Sequence, residues 1–487
     1  MGYAALVLAC TALAAALYTP VPLALPLGIV ALAFILADLR TALLACAACT
    51  VVSTELQLGS LGLDFPSEPL MIVLAALTVV YVLRHGRRIE AAVVVHPVSL
   101  ALVLHVAWIG FTALTAADST VALKFLAAKM WYVLPFYVLA ALLLRGERSL
   151  LRLTRFIAVP MAITLGYCVA RHASMGFAFD AVNQAMYPFF RNHVTYASLS
   201  TTLLPLFVYG GLREARGGFW RKLMWAVAAL SLVAIYTSYT RAAFVSLVLG
   251  AGFLLVMRFR LTRLSLAVGA VAIVAVSSLL VSQNRFFGFA PDYNKTITHT
   301  EFSDLLEATY QLTDISLMER VYRWVAGAYM SAERPLLGWG PGNFYGSYRG
   351  YALESFKTYV SDNPEKSGIH NYLLMVLVEQ GYPGLVIFFA LCALGLLTAE
   401  RAYRRAATRE HRWAAGALAA SLAINLSFQL INDMLESDKS GPWFFLCLAL
   451  LVVLDLEGRL ATRWRERTNL EPSRGASAIP DGAAPAR

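Results

Sequence analysis

The sequence predicts an all-α, polytopic membrane bundle of about 12–14 helical spans with both termini cytoplasmic, and three observations carry that reading. The chain is 59% hydrophobic and only 14% charged, where a soluble domain is roughly 45–50% apolar. Apolar runs of about 16–22 residues recur from end to end, each able or nearly able to cross about 30 Å of hydrocarbon as a helix that satisfies its own backbone. The basic residues gather in every second loop, which by the positive-inside rule makes those loops cytoplasmic.

Taken in order, the apolar runs fall near residues 3–18, 20–38, 41–54, 69–84, 97–116, 123–144, 153–171, 194–212, 222–238, 242–257, 264–282, 383–399, 413–431 and 442–457. The first are short and interrupted by Pro20, Pro22 and Pro26. No basic residue precedes Arg40, which argues against a secretory leader. The basic clusters are Arg84/Arg87/Arg88, Arg145/Arg148/Arg152/Arg155, Arg213/Arg216/Arg221/Lys222, Arg258/Arg260/Arg263, Arg401/Arg404/Arg405/Arg409/Arg412 and Arg459/Arg463/Arg465/Arg467. The net charge of +10 is therefore a topology signal and not a nucleic-acid footprint. All six cysteines lie in apolar runs, so the outer loops carry no disulfide, and Cys46-Ala-Ala-Cys49 is read as packing.

Four segments follow: N-terminal spans over 1–282, one large outer loop over 283–381, C-terminal spans over 382–458, and a disordered cytoplasmic tail over 459–487. Within the loop, 316–330 spaces Leu317, Val321, Trp324, Val325 and Ala328 as one face of an amphipathic helix lying on the membrane or the bundle. Gly338-Trp-Gly-Pro-Gly-Asn-Phe344 is a turn that brings backbone close to a neighbour. A helix from His370 to Thr398 would be about 43 Å long, too long for the hydrocarbon. Gly381, Pro383 and Gly384 break it into an outer helix over 370–380 and a span from Pro383, placing His370 and Glu379 at the external interface.

Charges at the outer ends of spans are the candidates for chemistry. Arg191 and Arg241 flank apolar runs in turns otherwise almost free of Lys and Arg. A guanidinium that cannot lose its charge needs an anion or water at that depth. The bland alternative for either alone is snorkelling or capping, but two in adjacent outer turns favour a phosphate or diphosphate, which paired guanidiniums bind bidentately. Those turns carry little acid, although Asp180, Glu301, Asp304, Glu307 or Glu319 could fold over them. Lys124 and Lys129 add positive charge, with interface anchoring as the competing role. His370 is the candidate general base, against a helix-start histidine that only caps or packs. Glu379 lies about half a turn out of phase with His370, which suits a structural role. No metal-ligand spacing and no phosphate-binding Gly-Lys-Ser/Thr is present, so no metal or cofactor is expected and the substrate must arrive activated.

Arg191, Thr237-Ser-Tyr-Thr-Arg241, the Arg320/Trp324 helix, the Gly338/Gly340/Gly342/Phe344 turn, and His370-Asn371 with Glu379, Gly381 and Gly384 together resemble the O-antigen ligase and polymerase family of bacterial inner-membrane glycosyltransferases. The resemblance covers roughly residues 185–400, with the ligase branch favoured. It implies a GT-C type helical fold with a periplasmic loop over the site, and metal-free transfer of a glycan from undecaprenyl diphosphate to lipid A-core. A polymerase or a protein O-oligosaccharyltransferase is the alternative within the family, and a lipid-linked sugar transporter the alternative outside it. Carried onto these residues, His370 would deprotonate the acceptor hydroxyl and Arg191 and Arg241 would neutralise the leaving diphosphate. Arg320, Lys129, Lys124, Gly340, Gly342, Asn371 and Glu379 would shape substrate binding. Membrane lipids surround the protein and no nucleic acid is a partner.

Overall fold

The computed structural model describes residues 9–11, 33, 35–58, 61–281, 315–353, 356 and 368–469. Its longer helices are α1 (Leu39–Val52), α2 (Ser67–His85), α3 (Pro97–Ala113), α4 (Ser119–Val133, continuing through a π-helical stretch Leu134–Leu139 to Leu143), α5 (Gly146–Ser174), α6 (His193–Arg213), α7 (Phe219–Thr237), α8 (Arg241–Arg258), α9 (Thr262–Val281), α10 (Ile315–Glu333), α11 (Tyr372–Arg405), α12 (Arg409–Gln429) and α13 (Gly441–Asn469). Each run expected from 41–54 onward coincides with one of them, so the fold is an all-α membrane bundle. The runs at 3–18 and 20–38 lie almost wholly outside the described residues.

Among the described residues, six helices are long and apolar enough to cross a membrane, namely Ser67–Arg88, Ser119–Leu143, Gly146–Ser174, Phe219–Thr237, Arg241–Arg258 and Tyr372–Arg405. Leu39–Val52, Pro97–Ala113 and Thr262–Val276 are shorter apolar helices. The helix that organises the rest is α13, buried on every side from Trp443 to Leu454. An α-helix apolar all round belongs in the middle of a bundle.

Long-range hydrogen bonds sort the helix ends into two layers. At one end, His96 opening α3 meets Asp455 of α13, Gly146 N–H donates to Glu457, Arg155 pairs with Glu214, and His411 lies against the Leu454 carbonyl. At the other, Ala117 N–H donates to the Trp339 carbonyl, Thr240 Oγ1 to the His193 carbonyl, and Lys439 Nζ to the Ser53 carbonyl. This second layer also holds a hairpin, β1 (Thr54–Leu58) antiparallel to β2 (Leu61–Phe65), with Glu55 opposite Asp64. The two layers are called here the far end and the site end.

Three local readings meet the structure differently. Gly381 has φ 70° and ψ −176°, so α11 does break there, between a short segment from Tyr372 and the long apolar segment. The amphipathic face of α10 is wider than the expected one, with Val321 and Trp324 packed against the core as expected. Met318, Tyr322, Val325, Ala326 and Met330 are buried, while Ala328 is exposed. The cause is an i,i+4 ion pair, Glu319–Arg323, that neutralises itself and goes inward, whereas a reading by hydropathy sends both charges outward. Finally, α13 runs on to Asn469, so residues 459–469 are helix where a disordered tail was expected.

Candidate active site

His370 opens the segment that leads into α11. Asn371 is the N-cap of that helix, its Oδ1 accepting Leu374 N–H at 3.0 Å. His370 itself sits at φ 55°. A left-handed conformation is uncommon for a residue with a side chain and costs on the order of 1–3 kcal/mol, so the surroundings must impose it. They do so through α10. Arg323 Nη1 donates to the Gly368 carbonyl at 3.2 Å and Trp324 Nε1 to the Ile369 carbonyl at 3.0 Å, two successive donors from one helix turn gripping the two residues before the histidine. Arg323 is in turn held by Glu319 Oε2 at 3.2 Å.

The imidazole faces the loop between α12 and α13. His370 Nδ1 lies 3.7 Å from Asp433 Oδ1, within ion-pair range and beyond a hydrogen bond, and Nδ1 has no hydrogen-bond partner. Gly368 makes the approach possible, because a Cβ there would stand 1.9 Å from Asp433 Oδ2. Burial first, then the charges of Arg320 and Arg323, push the His370 pKa down to about 3. Burial raises that of Asp433. The imidazole is thus neutral near pH 7, with a lone pair to offer.

The Asp433 loop is fixed from four sides. Gln429 Oε1 accepts Leu435 N–H at 3.1 Å, and Asn425 donates to the Ser440 carbonyl at 3.3 Å. Glu436 Oε1 receives Lys129 Nζ at 2.5 Å and Tyr372 O–H at 2.6 Å. Lys439 reaches the Val51 and Ser53 carbonyls at 3.2 and 2.7 Å.

The expected arginines divide. Arg241 is the first residue of α8, next to Thr240, whose hydroxyl meets the His193 carbonyl, and it follows Tyr239, another left-handed residue at φ 55°. Arg320 on α10 is close enough for its charge to act on both His193 and His370. The starts of α6 and α8, the face of α10 and the start of α11 therefore converge. Arg191 is exposed and paired with Glu55 of β1 at 2.9 Å, so acid does reach this arginine, from a hairpin more than 100 residues away in sequence.

Other expected residues take structural positions. Lys129 is fully buried in its pair with Glu436, with Phe125, Tyr372 and Phe445 rings 5.2–5.8 Å from Nζ. Lys124 is exposed. Glu379 is buried and closes the glycine turn. Its Oε2 accepts Gly342 N–H at 2.8 Å and its Oε1 accepts Phe344 N–H at 3.2 Å. Gly338, Gly340 and Gly342 all have positive φ, and a Cβ at Gly338 would lie 2.4 Å from the Glu379 backbone. Asp180 is exposed, Glu319 serves Arg323, and Glu301, Asp304 and Glu307 lie outside the described residues. Among the described residues no group of three or more His, Cys, Asp or Glu could hold a metal ion.

Asp433 and Arg323 are the residues that sequence reasoning missed. One signal was available for the first: Asp433, Glu436 and Asp438 crowd one short loop between two apolar helices of an acid-poor chain.

Fold and site together define a multi-pass helical membrane protein that carries, at one end of its bundle, a constrained neutral histidine among arginines. Residues 226–389 match the family model described as O-antigen ligase, which bears out the resemblance and is consistent with its ligase branch. The matched stretch includes Arg241, Arg320, the glycine turn, His370, Asn371 and Glu379. It ends before Asp433 and begins after Arg191. No curated protein matches the chain. The match supports a glycosyltransferase of the O-antigen ligase and polymerase type, with lipid-linked glycan and lipid acceptor as the general substrate classes.

Proposed function

We propose that the protein is an inverting glycosyltransferase that moves an O-antigen glycan from undecaprenyl diphosphate to lipid A-core at the periplasmic face of the bacterial inner membrane. The observation that carries this reading is His370, neutral, held in a left-handed conformation, with Asp433 behind it and Arg320 beside it.

In this mechanism Nδ1–H of His370 faces Asp433 and the Nε2 lone pair faces the acceptor. The acceptor hydroxyl oxygen attacks the anomeric carbon from the side opposite the diphosphate. Its proton passes to Nε2 as the C–O bond to the diphosphate breaks, and the bonding pair leaves with undecaprenyl diphosphate. Asp433 stabilises the imidazolium that forms, which is the role of a positioning residue. Arg241 and Arg320 are fixed cations that meet the diphosphate charge, supplying without a metal the stabilisation a metal gives elsewhere. Arg191 joins them by exchanging Glu55 for a phosphate oxygen. Lys129, Asn371, Glu379, Gly340 and Gly342 hold the frame, and Lys124 contributes charge at the rim. In this reading the spans lie over 1–282 and 382–458, with 283–381 as the periplasmic part.

A reconstituted transfer assay tests this, with undecaprenyl-diphosphate glycan as donor and lipid A-core, free repeat unit and peptide as parallel acceptors. Transfer to lipid A-core is expected, lost in His370→Ala while donor binding survives. Transfer only to the repeat unit would make the protein a polymerase. Full activity in His370→Ala would remove the base.

A further inference from the structure

We propose that the far end of the bundle carries a second anion site, a binding site for the phosphates of anionic membrane lipid, formed by Arg401 and Arg405 of α11 and Arg459 of α13. Its centre is Asp455, whose side chain has no exposure. Arg405 Nη1 bonds Asp455 Oδ1 at 2.8 Å, and Arg459 Nη2 and Arg401 Nε approach Oδ2 at 2.7 and 3.4 Å. His96 Nε2 closes the fourth side at 3.4 Å.

Three guanidiniums around one carboxylate leave a surplus of two positive charges, counted as three minus one. The neighbouring Glu400 does not cancel it, being taken by Arg404 at 3.6 Å. The three arginine side chains are 30%, 39% and 37% exposed, so the carboxylate is enclosed while the arginines around it are partly open, with Arg459 Nε buried and without a hydrogen-bond partner. Each guanidinium has five N–H donors, and here only one or two are engaged. Planar donors held rigid by a buried carboxylate suit phosphate oxygens.

An independent feature sets the depth. Arg412 lies over the Tyr403 ring at 5.9 Å and Arg409 over the Trp413 ring at 4.6 Å, on the helix ends that flank the cluster. Tyr and Trp with stacked arginines at the ends of apolar helices mark the headgroup layer. Phosphate is the anion of that layer, and basic pockets between spans are where multiply charged headgroups dock. The surplus of two fits a lipid with two phosphates better than one with a single phosphate. The same chemistry could be met by free phosphate, which the test separates.

Detergent-purified full-length protein is titrated with diphosphatidylglycerol, phosphatidylglycerol, phosphatidylcholine and inorganic phosphate, reading bound lipid by native mass spectrometry and the melting temperature. Binding is expected in the order given for the three lipids. A melting shift from inorganic phosphate alone would assign the site to the free ion. The quadruple variant R401Q/R405Q/R459Q/D455N, with no surplus charge, should lose the preference for anionic lipid. Should it fail to fold, Asp455→Asn alone decides the matter: it keeps a carbonyl oxygen, raises the surplus to three, and should bind the two-phosphate lipid about fivefold tighter. Equal binding of phosphatidylcholine, or no gain in Asp455→Asn, overturns the proposal.

Discussion

Each end of the bundle sets one histidine beside one carboxylate and a group of arginines, and the two are built in opposite ways. At the far end the carboxylate is the hub. Asp455 is enclosed by three guanidiniums and by His96, whose ring nitrogens meet Asp455 and the Val98 N–H. At the site end the histidine is the hub. His370 Nδ1 stops 3.7 Å short of Asp433, and Arg323 is occupied with the backbone and Glu319 instead of the carboxylate. A saturated carboxylate ties α3, α11 and α13 together. The imidazole is held neutral in strained backbone with positive charge alongside, and under the proposed function it takes a proton once a bound anion offsets that charge. Similar residue types thus give a fastener in one place and, under the proposed function, a reaction centre in the other, and the difference lies in which group is left unsatisfied.

The largest expected effect tests the two histidines against each other. His370→Ala should lower kcat by about 10²–10⁴-fold with donor binding retained, while His96→Ala should leave kcat within a few-fold and lower the melting temperature. Comparable loss of turnover in both would erase the contrast. The carboxylates come next. Asp433→Asn should reduce kcat by about tenfold to a hundredfold through the lost stabilisation of imidazolium, with little change in donor KM. Asp455→Ala should cost about 2 kcal/mol in unfolding free energy, a figure lowered from that of a fully buried pair because its arginines are partly exposed.

The pH profile sharpens the picture of His370. Its pKa of about 3 in the free protein means that kcat/KM should show no acid limb above about pH 5. A bound diphosphate supplies negative charge, which favours the imidazolium and raises that pKa, so the acid limb of kcat should lie at higher pH than that of kcat/KM. Arg320→Gln removes one of the lowering charges and should move the free-protein limb upward. The smallest effect concerns the hairpin. Glu55→Gln releases Arg191 from its exposed pair, and donor KM should fall by up to about fivefold, the range of a surface ion pair. A rise in KM would mean that Glu55 holds Arg191 in its working position.

Much of the bundle was legible in the sequence because hydropathy and helix breakers act locally. The helix boundaries from Leu39 onward, the break at Gly381, the close turn at Gly338–Phe344 and the position of His370 and Arg241 at helix starts all follow from short-range rules. The buried face of α10 was legible only in part, since Val321, Trp324 and Val325 pack inward as their spacing predicts, while Glu319 and Arg323 read singly as surface charges and become core residues only as a pair. Arg191 shows the same limit. The sequence around it is poor in acid, and Glu55 comes to it from a hairpin far along the chain.

By itself the amino-acid sequence determined that this chain is a membrane bundle, which ends of its helices carry basic charge, and that a histidine and several arginines sit where apolar helices begin. These follow from transfer free energies and helix geometry, which each segment feels on its own. Only the tertiary structure decided that Asp433 stands behind His370, that α10 grips the residues before it through Arg323 and Trp324, and that Lys129 is spent on Glu436. Those pairings join distant parts of the chain, and a side chain's charge has no fixed meaning until packing decides what faces it and how much water is left.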